Sequence, residues 1–300
     1  MADNRPPGTL GLDLRSPGAR PCGLCGAARR MTVAHVPPQA AGNRGVVRSA
    51  LVRLHNGTLA NGRADAGGMW LRALCSDCNS LAGGLYDPAY ADFAHEVFTR
   101  IKPGQRLALP PVRVAPGRVA RSILIGMFAT SPHLRAMFPE LADGLSSPRS
   151  ALRMPDGASL RLALHLTSYT RLSGMYNAVN WDIPNGYYDT FSEVYFRPFA
   201  WTLTPNDRVG ARVGPSVPEQ QGWAVVDGWL RYGDDVTAMD LRRLCPSLLP
   251  VTRHPLRTGE GRENWIEYVS DRTTTLLEGL IPSGHGVPRA QIRRSFTTLG

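Results

Sequence analysis

Cysteine, histidine and asparagine stand in this chain at spacings suited to metal chemistry. Cys22 and Cys25 form one C-x-x-C pair, and Cys75 and Cys78 form a second. Each loop offers two thiolates at the separation a tetrahedral ion needs. Two such loops close a shell of four sulfurs, the donor set of a structural zinc site with no open position. Between the pairs lies His35, in Val33-Ala34-His35-Val36-Pro37, and directly after the last cysteine comes Asn79. An imidazole moves protons near neutral pH, and an amide oxygen binds hard cations. A fifth cysteine, Cys245, stands alone before Pro246 and reads as a buried structural thiol. Few cysteines in paired C-x-x-C spacing favour a metal over disulfides.

These residues need elements to hold them. Residues 31–36 are β-rich and read as the first strand of a hairpin, closed by Pro37-Pro38. Residues 70–74 read as the returning strand, and 39–68 as a long Gly-, Ala-, Asn- and Arg-rich loop of a length that is often functional. A short helix is expected from Cys78, ended by Gly83-Gly84, then a helix over 86–101 from its apolar spacing. Prolines and glycines mark 102–117 as a linker. Helices follow at 119–128 and 134–145, broken near Ser131-Pro132. Strands follow at 160–170, 176–181, 191–196, 199–203 and 223–232, then helices at 236–244 and 265–280. Residues 1–20 read as a flexible tail and 281–300 as loose. The expected fold class is α+β. A small zinc-stapled module (21–101) precedes a larger α+β domain (118–300) with a mostly antiparallel sheet.

The formal net charge is +10 and the pI about 9.9, a balance suited to a polyanionic partner. Lys102 is the one lysine among 34 basic residues. A G+C-rich coding sequence would explain arginine over lysine, but not the excess over acids. Between Cys22 and Cys78 seven arginines face two aspartates, the composition expected beside a nucleic-acid backbone. No apolar run approaches the roughly 20 residues that span a bilayer. The N-terminus has no apolar leader core, which points to the cytoplasm and away from membranes.

The order C-x-x-C, His-Val-Pro-Pro, then Leu-Cys-x-x-Cys-Asn followed by Gly and Asp resembles the zinc-containing branch of the HNH endonucleases. The resemblance covers residues 22 to about 87. It implies a ββα-metal fold: a β-hairpin and a helix around a catalytic divalent metal, Mg2+ or Mn2+, beside a structural Zn2+ on the four cysteines. It implies His35 as the general base for water and Asn79 as a ligand of the catalytic metal. The substrate implied is nucleic acid, with double-stranded DNA favoured, and Arg44, Arg48 and Arg53 are placed to hold its phosphates. Fusions of this kind suit restriction or anti-phage defence.

Two positions depart from that pattern. The residue before His35, where a metal ligand is usual, is Ala34, and the usual middle asparagine is missing near Trp70-Leu71. Asp77 and Asp87 are the carboxylates that could compensate for Ala34. His55-Asn56, Asn61 or Asp65 could supply the middle residue. Asn79 has a rival reading as a helix N-cap, and Asp87 as a cap or an arginine partner. A non-enzymatic zinc-containing nucleic-acid-binding protein, and an interaction protein, stay open beside the enzyme. Target reading, dimerisation into a homo-oligomer, or sensing are the roles open to residues 118–300.

Other chemistry-bearing types have plainer readings. His95-Glu96 lacks the second histidine of H-E-x-x-H, because position 99 is Thr99. His165 reads as a sheet residue. The aromatic set Tyr187, Tyr188, Phe191, Tyr195, Phe196, Phe199 and Trp201 reads as core more readily than as a base-stacking platform. Asp234, Asp235 and Asp240 read as a helix N-terminus.

Overall fold

A computed structural model describes residues 19–45, 47–53, 58–65, 67–100, 111–131, 134–148, 152–165, 170–173, 176–178, 187–205 and 223–245, with two short strands at 267–269 and 274–278. The architecture is mixed α+β with antiparallel sheets. Strands β1 (Ala19–Pro21) and β2 (Ala28–His35) pair with each other, and β2 pairs with a third strand, Trp70–Cys75, all antiparallel. The segment expected as one long loop carries a 3-10 turn (Gln39–Ala41) and a second hairpin, β3 (Val47–Arg53) with β4 (Thr58–Asp65). Valines and leucines in 47–59 have strand propensity that the surrounding Gly and Asn obscure in the sequence. Trp70–Cys75 is then β5.

From β5 the chain passes directly into a helical rod. α1 (Ser76–Leu81), a π-helical turn (Ala82–Tyr86) and α2 (Asp87–Arg100) are continuous, with right-handed helical dihedrals at both junctions. The expected stop at Gly83-Gly84 does not occur; these residues lie in the wider π turn. Nothing lies within 4 Å of where either Cβ would be, so no packing forces the helix to end. The cap position of α1 falls on Cys75, and Asn79 is inside the helix. The N-cap reading of Asn79 is therefore corrected.

Within 102–117, β6 (Val112–Val114) forms a strand paired with Thr237–Met239, and α3 (Pro116–Thr130) begins. α3 is buried on every face except at Arg118. Its apolar run, Val119 and Ala120 followed by residues 123–129, therefore needs cover all round. One cover is the β2–β5 hairpin. A Cβ on Gly23 would stand 2.6 Å from the Phe128 carbonyl oxygen, and one on Gly126 would stand 2.9 Å from Val36 Cγ1. The opposite cover is a sheet, reached where the Ser131 hydroxyl donates to the Phe191 carbonyl at 2.6 Å. The helical path breaks at Ser131, as expected, and continues in α4 (Leu134–Met137) and α5 (Pro139–Leu145).

The sheet comprises β7 (Ala158–Leu164), β8 (Thr170–Ser173), β11 (Ser192–Phe196), β12 (Phe199–Pro205), β13 (Trp223–Val225), β15 (Glu267–Val269) and β16 (Thr274–Glu278). Its order is β13-β7-β12-β11-β8-β16-β15, with β8–β16 the parallel pair. β9 (Tyr176–Ala178) and β10 (Tyr187–Thr190) make a separate hairpin. Of the aromatic set, Phe191, Tyr195, Phe199 and Trp201 are buried in the core. Phe93 of α2 stacks on Phe199 at 4.5 Å, and Trp201 Nε1 donates to the Tyr90 hydroxyl at 3.2 Å. A continuous apolar cluster joins the hairpin, α2, α3 and the sheet, from Cys22 to Cys245.

Three expectations late in the chain are corrected. Only residues 223–225 of 223–232 are strand; Asp227 accepts from the Leu160 N–H at 2.6 Å and opens a 3-10 turn, Asp227–Tyr232. Residues 236–244 are not one helix. β14 (Thr237–Met239) precedes α6 (Leu241–Leu244), whose N-cap Asp240 accepts from the Arg242 N–H at 3.0 Å. The final expected helix is the strand pair β15–β16, where Val269 and Thr274–Thr275 favour extended backbone. Residues 1–18 and 279–300, expected as loose ends, lie outside the described residues.

The close approach of Gly23 to Phe128 yields a measurable outcome. Gly23→Ala should destabilise by about 1–3 kcal/mol through overpacking against backbone. Gly83→Ala should be neutral or gain up to about 1 kcal/mol. Thermal melts of the two variants check this contrast.

Candidate metal centre and histidine cleft

The four cysteines come from two places that the fold brings together. Cys22 and Cys25 lie in the turn between β1 and β2; Cys75 ends β5 and Cys78 lies in the first turn of α1. The turn is tight, with the Gly26 N–H donating to Cys22 O at 2.8 Å and Gly26 at φ 74°. It is bound to β5 by Gly23 N–H to Ala73 O at 2.8 Å and by the Cys75 N–H to Cys22 Sγ at 3.3 Å. From α4, Arg135 donates to Leu24 O at 2.5 Å. All four Sγ atoms lie within 4.8 Å of one another, and Cys25 and Cys75 are 3.8 Å apart.

That spacing fits zinc. Sulfurs about 2.3 Å from a tetrahedral ion stand about 3.8 Å from each other. The electrostatics agree. Hydrogen bonding from Cys78, and then from the backbone at Cys75, Cys25 and Leu24, outweighs burial and holds Cys22 at about 4. Cys78 is pushed up, first because its thiol donates a hydrogen bond to Cys22 and then by burial. Burial also raises Cys75. The sulfurs thus differ: Cys22 loses its proton more readily than an ordinary thiol, and Cys75 and Cys78 hold theirs more firmly. A divalent ion would displace those protons and neutralise sulfurs that are otherwise costly to charge in an apolar site. Cys245 lies elsewhere, buried, with Sγ donating to Leu162 O at 3.8 Å and its thiol pushed up to about 12 by burial.

His35 is at the other end of the same hairpin. Met31 pairs with Cys75, and His35 pairs with Trp70. Four residues of strand separate the two ends, about 13 Å, so the cysteine centre and His35 are distinct sites. His35 Nε2 is 3.1 Å from the Gly67 carbonyl oxygen. A carbonyl only accepts, so Nε2 carries the hydrogen and Nδ1 keeps the lone pair of the neutral ring. Burial lowers the His35 pKa, opposed by the Gly67 carbonyl. The ring is thus a neutral base at physiological pH.

Asn79 is positioned by a slip in the strand ladder. The β2–β5 register shifts between Thr32 and Ala34. The Val33 carbonyl inside that shift accepts from Asn79 Nδ2 at 2.9 Å, which leaves Asn79 Oδ1 as the acceptor for another group. His35 and Asn79 line one cleft, walled also by Asp87 at the start of α2 and by Ser122, Ile123 and Gly126 of α3. The Ser122 hydroxyl donates to Asp87 Oδ1 at 2.7 Å. Burial raises the Asp87 carboxyl, opposed by that hydrogen bond. Asp87 therefore neither caps nor pairs with an arginine, as one reading held. Asp77 is exposed and paired with Arg29.

A residue the sequence reading missed closes the loop above the cleft. Asn43 is buried, and its Nδ2 donates to Pro37 O at 2.7 Å and Met69 O at 2.9 Å, while its Oδ1 accepts from the Met69 N–H at 2.7 Å. Gly68, at φ 88°, lies against it; a Cβ there would meet Asn43 O at 2.3 Å. Asn43 thus clasps the chain leaving β2 to the chain entering β5. The stretch around Trp70-Leu71, where the middle asparagine is usual, carries none. Of the alternatives, His55 and Asn56 lie outside the described residues, while Asn61 and Asp65 fall on β4, whose side chains are not described. Arg44 is exposed and donates from Nε to Gln39 O at 3.3 Å. Arg48 and Arg53 fall on β3, and their side chains also lie outside the described residues.

No helix among the described residues is long and apolar enough to cross a membrane. Compared with protein-family models, curated proteins and solved structures, the chain matches none.

Three outcomes follow from this geometry. The protein should carry about one zinc per chain, lost in Cys78→Ser with a large fall in melting temperature. Its zinc affinity should weaken as pH falls, because protons return to Cys75 and Cys78; chelator competition on either side of neutral pH reads this. Asn43→Ala leaves the Pro37 carbonyl and the Met69 N–H without their partner, while the Met69 carbonyl keeps the Val36 N–H, and should cost about 3 kcal/mol, read by chemical denaturation.

Proposed function

We propose that the protein is an HNH-type, metal-dependent endonuclease that hydrolyses phosphodiester bonds in DNA. The observation that carries this reading is His35: a half-buried, neutral imidazole whose Nδ1 has no partner among the described residues, held by Gly67 O at the end of a strand–strand–helix unit, in one cleft with Asn79. A four-cysteine centre suited to zinc pins the same unit. The resemblance to zinc-containing HNH endonucleases and the Arg-rich charge of residues 22–78 support nucleic acid as the substrate.

In this mechanism His35 Nδ1 takes the proton of a water aligned for in-line attack at phosphorus. The Gly67 carbonyl fixes the tautomer and stabilises the imidazolium that forms. Asn79 Oδ1 would hold a magnesium or manganese ion, which would supply stabilisation of the charge that develops on the phosphoryl group and the leaving oxygen. Arg44 holds a flanking phosphate, and residues 118–300 read the target or join two copies. Restriction or anti-phage defence suits such an activity.

The second reading is a nucleic-acid-binding module without catalysis, favoured by Ala34, which carries no donor atom beside His35. Supercoiled plasmid in magnesium or manganese separates the two. The enzyme nicks or cuts it, stops with EDTA, and loses about 10²–10⁴ in rate as His35→Ala. Because burial lowers the His35 pKa below its ordinary 6.5, the rate should stay level through neutral pH and fall only below pH 6.5. Binding that depends on salt, with no cutting and no response to His35→Ala, establishes the module instead.

A further inference from the structure

We infer that Asp87 is the carboxylate ligand of the divalent cation in the His35 cleft, acting with Asn79 Oδ1 and held in place by Ser122. This deepens the endonuclease reading and rests on it. A hard cation prefers carboxylate oxygen, and the strand position ahead of His35 offers none because it is Ala34. Of the two carboxylates near in sequence, Asp77 is exposed, is paired with Arg29 and does not line the cleft. Asp87 lines it together with His35 and Asn79.

The helix geometry explains how a residue so far along reaches the site. Asn79 and Asp87 are eight apart, a separation that sets them about 80° from each other around an unbroken α-helix. The π turn over Ala82–Tyr86 takes in one extra residue. The pair is then in phase as residues seven apart would be, on one face. Gly83 and Gly84, open on their Cβ sides, meet no packing that would oppose the wider turn. Ser122 comes from α3, and its hydroxyl donates to one Asp87 oxygen at 2.7 Å. Among the described residues the other oxygen has no partner, and no cation pairs with this half-buried carboxylate. A hydroxyl that orients a carboxylate, leaving its second oxygen facing a cleft with an amide oxygen, is the outer support a metal ligand needs. The donors number two from the protein, which suits a cation that keeps waters and takes further oxygens from a phosphate.

The test is a titration of the zinc-loaded full chain with Mn2+, read by the electron paramagnetic resonance of the free ion. Plasmid cutting is assayed on the same preparations. The wild type should bind one Mn2+ in the cleft. Asp87→Asn, nearly isosteric and still able to accept from Ser122, should weaken it about tenfold or more. His35→Ala should alter it less than about threefold while abolishing cutting. Zinc content and melting temperature verify that each variant is folded. If Asp87→Asn does not fold, Ser122→Ala decides, with a several-fold weaker Mn2+ affinity expected and an unchanged affinity overturning the assignment. Mn2+ affinity equal in wild type and Asp87→Asn, with metal-dependent cutting intact, overturns the role of Asp87 and spares the endonuclease. No Mn2+ binding and no cutting removes both.

Discussion

The convergence of four sulfurs is the constraint on which the hairpin depends. β2 and β5 are separated by more than thirty residues of chain, so pairing them carries the entropy of closing a long loop. Residues flanking the two strands, Cys22 and Cys25 before β2 and Cys75 and Cys78 at the end of β5 and after it, meet at one point. A metal there closes that loop at one end of the ladder; Asn43 closes it at the other. The two fastenings have different chemistry, thiolate on metal and amide on backbone, but the same effect. They fix the register that places His35 opposite Trp70 and the Gly67 carbonyl at its Nε2.

α3 gives the hairpin its rear wall. Without it, Leu24, Val36, Leu71 and Leu74, all buried, would face water on a unit too small for a core of its own. Glycines at 23 and 126 let the helix and the hairpin approach at backbone distance. The same helix contributes Ser122 to the cleft, so the histidine site and the larger sheet behind α3 share one packed element.

The metal centre was legible in the sequence because zinc ligation is local chemistry: two C-x-x-C pairs specify a donor set before any fold is known. The strands of the hairpin were legible from β-rich runs, and α2 and α3 from apolar spacing. What the sequence hid depends on contacts between distant residues. Asn43 sits in a polar, glycine-rich stretch with no mark of the three hydrogen bonds it makes. Ser122 is one hydroxyl in an apolar helix beyond an apparent linker. Gly83-Gly84 reads as a stop, because nothing local distinguishes a helix end from a π turn. The last two strands read as a helix, because periodicity in a short, mixed segment does not reveal a sheet edge waiting for it.

The clasp at Asn43 also separates what is inserted from what is framed. Everything between residues 46 and 66 leaves and re-enters the hairpin across one pinned gap, between Gly45 and Gly68, whose backbones hydrogen-bond at 2.7 Å. The β3–β4 arm returns to the place it left, and its strand β3 lies against β15 and β16; lengthening the loops that carry it costs only about 0.6 kcal/mol for a doubling, while the imidazole behind the clasp keeps its place. A scaffold so divided can acquire new preferences without re-evolving its chemistry.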